Sequence, residues 1–199
     1  TAFYKLIKNP ISRIEVASAG GYLSYENIAD KATVAGVEVE VRKNLFVRPL
    51  SSAANGMNKL SFGLNGSYIY TNAKMPLATV TTGSQLEGAA PWIANFDLSH
   101  NFTKGNHSFI NTLVFNYVSD KIYTIGTQGY QDIIEQGMMT LDFVSQAKLN
   151  KYVSLTLKAR NLLNPSYKLS RKANESGEKV VLSDYKKGIN ISLGVSCTF

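Results

Sequence analysis

The chain has one cysteine, one tryptophan, two histidines and five prolines in 199 residues. A lone Cys197 excludes an intramolecular disulfide scaffold and any cysteine-based zinc motif. His100 and His107 together fall short of the three protein ligands that a catalytic zinc requires, so no metal site is expected. No run of 18 apolar residues occurs, which excludes a membrane-spanning helix of about 20 residues. Glycine-rich phosphate loops, nucleophile elbows and calcium-loop spacings are missing as well. The formal charge of +7 is spread along the chain rather than gathered on one stripe, so nucleic acid is not an expected partner.

Charge itself is scarce. Charged residues make up 18% of the chain, against about 25% in an average soluble domain. Aromatic residues are plentiful, with 11 Tyr and 9 Phe. The N-terminal Thr1-Ala2-Phe3-Tyr4-Lys5-Leu6-Ile7 has no basic region followed by a cleavage site. The expectation is a leader already removed, or a chain that begins inside something larger.

What is present is period-2 alternation, the mark of strands with one apolar face. Ile189, Ile191, Leu193, Val195, Cys197 and Phe199 alternate without exception with Asn190, Ser192, Gly194, Ser196 and Thr198. Val153 to Arg160, Met139 to Leu149, Phe109 to Tyr117, Trp92 to Phe102, Leu60 to Tyr70 and Val37 to Arg42 repeat the pattern. The segment from Ala2 to about Ser18 reads as one long strand bent at Asn9-Pro10. The expected fold is all-β: an antiparallel up-and-down meander of about eight long strands, continuous over residues 1–199.

Connection lengths alternate. Residues 103–106 and Asn150-Lys151 are short, whereas 72–90, 119–137 and 162–186 are long, and 44–58 reads as a longer turn on the short side. Short turns at one end and long loops at the other describe outer-membrane barrels. Residues 92–102, 139–149 and 189–199 are 11-residue segments, and a tilted spanning strand needs about 9–11.

Glu38, Glu40, Arg42, Asp97, Asp142, Lys148, Lys158 and Arg160 all fall on the polar parity and are the candidates for a lumen-facing surface. Tyr70, Trp92 and Tyr117 at the long-loop end, and Phe46, Phe102, Tyr152 and Phe199 at the short-turn end, are the candidates for two aromatic girdles. Asp97 and His100 differ by an odd number on one strand, so they should point to opposite faces and make no catalytic dyad. An enzyme is not expected. The loop 162–186 holds Lys168, Arg171, Lys172, Lys179 and Lys186, with Lys187 just beyond, against Glu175, Glu178 and Asp184; it is a candidate contact for anionic headgroups or an acidic ligand. Five Asn-X-Ser/Thr sequons read as by-products of an Asn- and Ser-rich polar face.

The last residues, with Ser192, Gly194, Cys197 and terminal Phe199, resemble the C-terminal signal read by the bacterial outer-membrane assembly machinery. Four features in order, Lys31-Ala-Thr-Val-Ala-Gly-Val-Glu-Val-Glu-Val-Arg-Lys43, Leu86-Glu-Gly-Ala-Ala-Pro-Trp-Ile-Ala-Asn95, Asn161-Leu-Leu-Asn-Pro165 and the Phe199 end, resemble the C-terminal barrel of TonB-dependent receptors, especially those of Bacteroidetes-type Gram-negative bacteria. The resemblance implies the last part of a 22-stranded transmembrane barrel whose plug domain and earlier strands are absent, with no cofactor. It further implies uptake of a scarce bulky nutrient of the siderophore, cobalamin or oligosaccharide class. The implied partners are outer-membrane lipid, a TonB-type energy-transducing complex reached through the missing N-terminal part, the assembly machinery and a surface lipoprotein. Two other readings stand beside it: a self-contained eight-stranded outer-membrane barrel, and a soluble β-rich carbohydrate-binding module.

Overall fold

The computed structural model describes residues 1–16, 22–50, 56–74, 85–127, 129–173 and 177–198. Every described element is a strand, and they run in chain order as β1 (Ala2–Lys8), β2 (Ile11–Glu15), β3 (Leu23–Asn27), β4 (Lys31–Leu50), β5 (Gly56–Ala73), β6 (Trp92–Lys104), β7 (His107–Val118), β8 (Lys121–Thr124), β9 (Ile133–Glu135), β10 (Met138–Lys148), β11 (Val153–Arg160), β12 (Ser166–Lys172), β13 (Lys179–Lys186) and β14 (Asn190–Cys197).

Eight of them form one antiparallel wall in the order β1-β4-β5-β6-β7-β10-β11-β14. Each wall strand pairs with the next one along the chain, as a meander requires. β1 and β14 each pair on one side only, so the eight do not close on themselves in the described residues. The self-contained eight-stranded barrel therefore does not describe this sheet.

The register carries the alternation across the wall. One row aligns Val41, Leu64, Phe96, Phe115 and Leu141, and the next aligns Lys43, Phe62, Leu98, Leu113, Phe143, Ala159 and Ile191. Between them, on the other face, lies Arg42, Gly63, Asp97, Val114 and Asp142. Because side chains alternate at each step, one wall face is apolar and the other polar. A register shift between Asn44 and Phe46 leaves Leu45 without a register partner. This bulge keeps Phe46 and Arg48 on the apolar face after an odd step.

Three expectations are corrected. The segment from Ala2 onward is not one strand: β1 stops at Lys8, Asn9 turns with a left-handed φ of 50°, and β2 leaves the wall to pair with β3. Ser18 lies outside the described residues. Residues 44–58 are not a long turn, since β4 continues to Leu50 and β5 resumes at Gly56 in register with it. Finally, 119–137 and 162–186 are not bare loops: they supply β8, β9, β12 and β13, a second sheet in the order β13-β12-β9-β8.

The two short turns are built locally. Gly105 takes a φ of 58° in the two-residue connection of β6 and β7, which suits a tight hairpin. At the β10–β11 turn, the Asn150 carboxamide oxygen accepts the backbone N–H groups of Tyr152 and Val153 at 2.8 and 2.9 Å. An Asn side chain folding onto its own backbone in this way stands in for a turn hydrogen bond.

At the long-loop end, β2 and β3, β8 and β9 and the connection before β6 pack into a cap. Ile14, Ile28, Ile122 and Ile125 form one buried cluster, with Ile134 against it. Ala29, Ala32, Ala73 and Leu86 form another where the wall strands β4 and β5 meet the cap. A parallel bridge between Ile14 and Ile125 ties β2 to the segment after β8. Ile28 and Ile125 of the first cluster are fully buried, as are Ser12, Thr124 and Ser170 in the cap strands around it, because the described wall exposes both its faces.

Candidate functional site: a two-faced wall and its cap

The polar face is a hydrogen-bonded lattice. Glu40, Asn65, Asn95, Asn116 and Thr140 lie in one row across five strands. Asn65 Nδ2 donates to Glu38 Oε1 at 2.9 Å, Asn95 Nδ2 to Asn65 Oδ1 at 3.3 Å, and Asn116 Nδ2 to Thr140 Oγ1 at 3.2 Å. Neutral amides both donate and accept, so Asn65 serves Glu38 and Asn95 at once. One row below, Arg42 pairs with Glu40, and Asp97 folds over Gly63, where a Cβ would collide with its carboxylate. Glu40, Arg42, Asn65, Asn95 and Asp97 line a shallow cleft of about 240 Å³.

All eight polar-parity candidates occupy this one face. Glu38, Glu40, Arg42, Asp97 and Asp142 cluster in its upper half, toward the long-loop end; Lys148 and Lys158 lie lower, and Arg160 sits opposite Asn190 on β14. Asp142 does more than line a surface: its Oδ1 accepts the backbone N–H of Asn161 at 2.8 Å, just where the chain leaves β11.

The apolar face carries the aromatic candidates. Trp92 packs on Tyr68 with ring centroids 4.5 Å apart, with Tyr70 further up β5, and Tyr117 is in register with Ala94. Near the short turns, Phe102 meets Phe109 at 6.4 Å and Arg48 lies over Phe46 at 5.6 Å. Tyr152, in the β10–β11 turn, has the Lys151 ammonium 4.7 Å from its ring centre. Trp92 is 56% and Tyr152 53% exposed, large values for such residues in a wall with no outer layer. Phe199 lies outside the described residues. Ser192 and Gly194 stand on the polar face of β14 and Cys197 on its apolar face, all on the strand whose outer edge is unpaired.

His100 sits on the apolar face, where its Nε2 bonds Asn58 Oδ1 at 2.8 Å, and Asp97 sits on the polar one. The two point apart across the sheet and cannot exchange a proton.

The cap is clasped by charges that no spacing in the sequence announces. Arg13 Nη2 donates to Glu87 Oε1 at 3.0 Å and its guanidinium lies 4.0 Å from the Tyr123 ring centre, so β2, the connection before β6 and β8 meet at one cation. Glu15 pairs with Arg171 of β12. Lys121 binds Glu135 at 3.2 Å, and the Tyr167 hydroxyl donates to the same carboxylate at 3.4 Å. Burial, followed by the negative charge of Glu135, pushes the Tyr167 phenol up to about 12. On the rim, Lys168 at 3.1 Å holds the Asp184 carboxyl below its ordinary value.

Asp120, Asp132, Ser170, Arg171, Lys172 and Lys179 line a cavity of about 360 Å³ in this cap. Asp132 Oδ1 accepts the N–H of Gly126 at 2.7 Å, closing the loop that forms one side. Gly126 has no room for a Cβ against the Tyr130 carbonyl, which explains glycine there. Arg13, Glu15, Glu87, Asp132 and Tyr167 were not foreseeable as a group: their pairings span separations such as 74 and 156 residues. The strands themselves did leave a signal, in Ile122-Tyr123-Thr124-Ile125 and Val180-Val181-Leu182.

The Asn161-Leu-Leu-Asn-Pro165 motif is the exit from the wall into the cap. Asn161 and Asn164 both take left-handed φ, 58° and 44°, a conformation asparagine tolerates better than most residues. Asn161 Nδ2 donates to the Gly188 carbonyl at 2.7 Å, and Gly188 N–H donates to Asn164 Oδ1 at 3.1 Å, so the motif also fixes the re-entry to β14.

No curated protein and no solved structure matches the chain. A family model described as TonB dependent receptor-like, beta-barrel, matches residues 1–162. That span takes in seven of the eight wall strands, their two faces and the first part of the cap. This is a family of outer-membrane transport receptors rather than of enzymes, and the chain belongs to it.

Proposed function

We propose that this chain is the C-terminal barrel wall, with its surface cap, of a TonB-dependent outer-membrane transporter for a bulky nutrient of the siderophore, cobalamin or oligosaccharide class. The observation that carries the reading is the open sheet with one hydrogen-bonded polar face and one apolar face, capped at a single end. In a large barrel the polar face looks into the lumen. Glu38, Glu40, Arg42, Asp97, Asp142, Lys148, Lys158 and Arg160 then bind a plug and one another. The apolar face, with Tyr70, Trp92 and Tyr117 at one rim and Phe102 and Tyr152 at the other, meets lipid. Closing the free edges of β1 and β14 calls for further strands, as a 22-stranded barrel of Gram-negative, Bacteroidetes-type receptors would supply.

On this reading β14, through Ser192, Gly194, Cys197 and Phe199, is what the assembly machinery reads. A TonB-type complex powers transport through the part of the receptor that carries the plug, and a surface lipoprotein contacts the cap. The cap cavity, with Lys172 and Lys179 facing Asp120, is a ligand contact. A soluble carbohydrate-binding module has no use for Val37, Val39, Val41, Ile191, Leu193 and Val195, which are 45–70% exposed along one face.

The test is a deletion of the gene, followed by growth on a ferric siderophore, cobalamin or an oligosaccharide as the limiting nutrient. Loss of growth on one class, restored by the wild-type gene and abolished by collapse of the proton gradient, supports the proposal. Recovery of the protein in the detergent-free soluble fraction, with growth unaffected on all three, overturns it.

A further inference from the structure

The formal charge of +7 has an address in the fold. No acidic residue occurs from 41 to 86, from 98 to 119, from 143 to 174 or after Asp184. Mapped on the wall, those gaps contain the whole short-turn half: the row of Lys43, Phe62, Leu98, Leu113, Phe143, Ala159 and Ile191, and everything below it. That half holds Lys43, Arg48, Lys59, Lys104, Lys148, Lys151 and Lys158. Of the 21 Lys and Arg these are seven, and the other 14 stand with the 13 described Asp and Glu, all of which lie above. Among the described residues the basic excess therefore belongs to one end of the wall, and the cap end is close to neutral. This shifts attention away from the 162–186 segment, where Lys168, Arg171 and Asp184 are engaged in ion pairs.

Lys59, Lys148 and Lys158 are on the polar face. Lys43 and Arg48 lie on the apolar face, opposite Phe62 and Asn58, and Lys104 shares the parity of Phe102. The apolar face also breaks its own pattern here. Asn58 is hydrogen-bonded to His100, and Asn111 accepts the Ser145 hydroxyl at 2.7 Å, directly above the Phe102–Phe109 pair. Polar side chains on a lipid-facing surface are costly unless they meet a polar group. A fixed group of hydrogen-bonding side chains beside Arg48, which makes no ion pair among the described residues, is a phosphodiester's environment.

We infer that the outward face of the short-turn end, through Arg48 and Lys104 with the Asn58–His100 pair, binds the headgroup of anionic phospholipid in the leaflet at that end. The inference rests on the outer-membrane reading, which places short turns at the periplasmic leaflet. Charge complementarity selects the occupant: each basic residue near an anionic surface adds attraction that salt removes.

The experiment reconstitutes the protein, expressed from its complete reading frame, into phosphatidylcholine vesicles doped with spin-labelled phosphatidylglycerol or spin-labelled phosphatidylcholine. The motionally restricted fraction reports which lipid contacts the barrel. Phosphatidylglycerol should be enriched about threefold or more over phosphatidylcholine, falling toward parity in about 1 M salt, where screening reaches about 3 Å. The variant Arg48→Gln/Lys104→Gln should lose the enrichment, and Lys172→Gln/Lys179→Gln at the cap end should keep it. Normal insertion with equal contact for both lipids, or an enrichment untouched by the Arg48→Gln/Lys104→Gln substitution, overturns the inference and leaves the membrane reading standing. Failure to insert into either vesicle overturns both.

Discussion

Arg13 of β2 and Glu87 before β6, separated by 74 residues, meet at 3.0 Å, and the Arg13 backbone N–H donates to the other oxygen of the same carboxylate. Their side chains are 21% and 17% exposed, so most of the water that would screen the pair is gone. The cap is thereby tied to the wall strand that begins at Trp92. Glu87→Gln removes the charge and leaves Arg13 half-buried against Tyr123. A destabilisation of about 1–3 kcal/mol is expected. Hydrogen exchange should quicken in residues 11–15 and 85–91 while β6 and β7 keep their protection. Uniform exchange rates in the variant would show that the clasp holds nothing.

Asn161 is the hinge where β11 hands the chain to the cap. Asn161→Ala loses the bond to Gly188 and strains a residue at a φ of 58°, which together should cost about 1–3 kcal/mol. Asn161→Gly relieves the strain and loses only the side-chain bond, so its cost should be the smaller of the two by thermal melting. Equal losses would mean that φ is not the constraint.

The Tyr167 phenol, pushed up to about 12 by burial and by Glu135, should remain protonated where exposed tyrosines ionise. Its folded value lies above the unfolded one near 10, so between those values the native state holds the extra proton. Tyr167 therefore leaves cap stability unchanged below about pH 10 and lowers it as pH rises toward 12. Spectrophotometric titration of wild type against Tyr167→Phe isolates this residue among 11 tyrosines. A difference titration centred near 10 would contradict the assignment.

The two wall faces should respond oppositely to charge. Leu113→Arg places a cation on the apolar face in mid-wall, between Leu98 and Phe143, and should cost about 2–4 kcal/mol in a bilayer. Thr112→Arg, one residue away on the polar face, should fold and insert with little loss. Recovery from the outer-membrane fraction compares them, and equal yields would remove the distinction between the faces.

Much of the wall was legible because a two-residue period is local: Val153 to Arg160 or Ile189 to Cys197 states its two faces without reference to any other strand. The short turns were legible for the same reason, through Gly105 and Asn150. What stayed hidden depends on distant partners. The alternation of Ile11 to Glu15 looks like a continuation of β1, and only the left-handed turn at Asn9 sends it to β3 and Ile125 instead. Leu45 concealed its bulge, since an extra residue between Asn44 and Phe46 looks like the end of the period and hence like a turn. The cap's ion pairs, Arg13 with Glu87 and Glu15 with Arg171, join residues that nothing in their neighbourhoods relates.

The most direct measurement is collision accessibility along β7. Single spin labels at each position from 109 to 117, in a Cys197→Ser background of the protein reconstituted in lipid, would be read with oxygen and with a water-soluble nickel chelate. Phe109, Asn111, Leu113, Phe115 and Tyr117 should favour oxygen, the lipid-soluble reagent, and the intervening positions should not, giving an oscillation of period 2 whose phase matches the apolar face. A flat profile, or the opposite phase, would contradict a barrel wall that turns this face to the membrane.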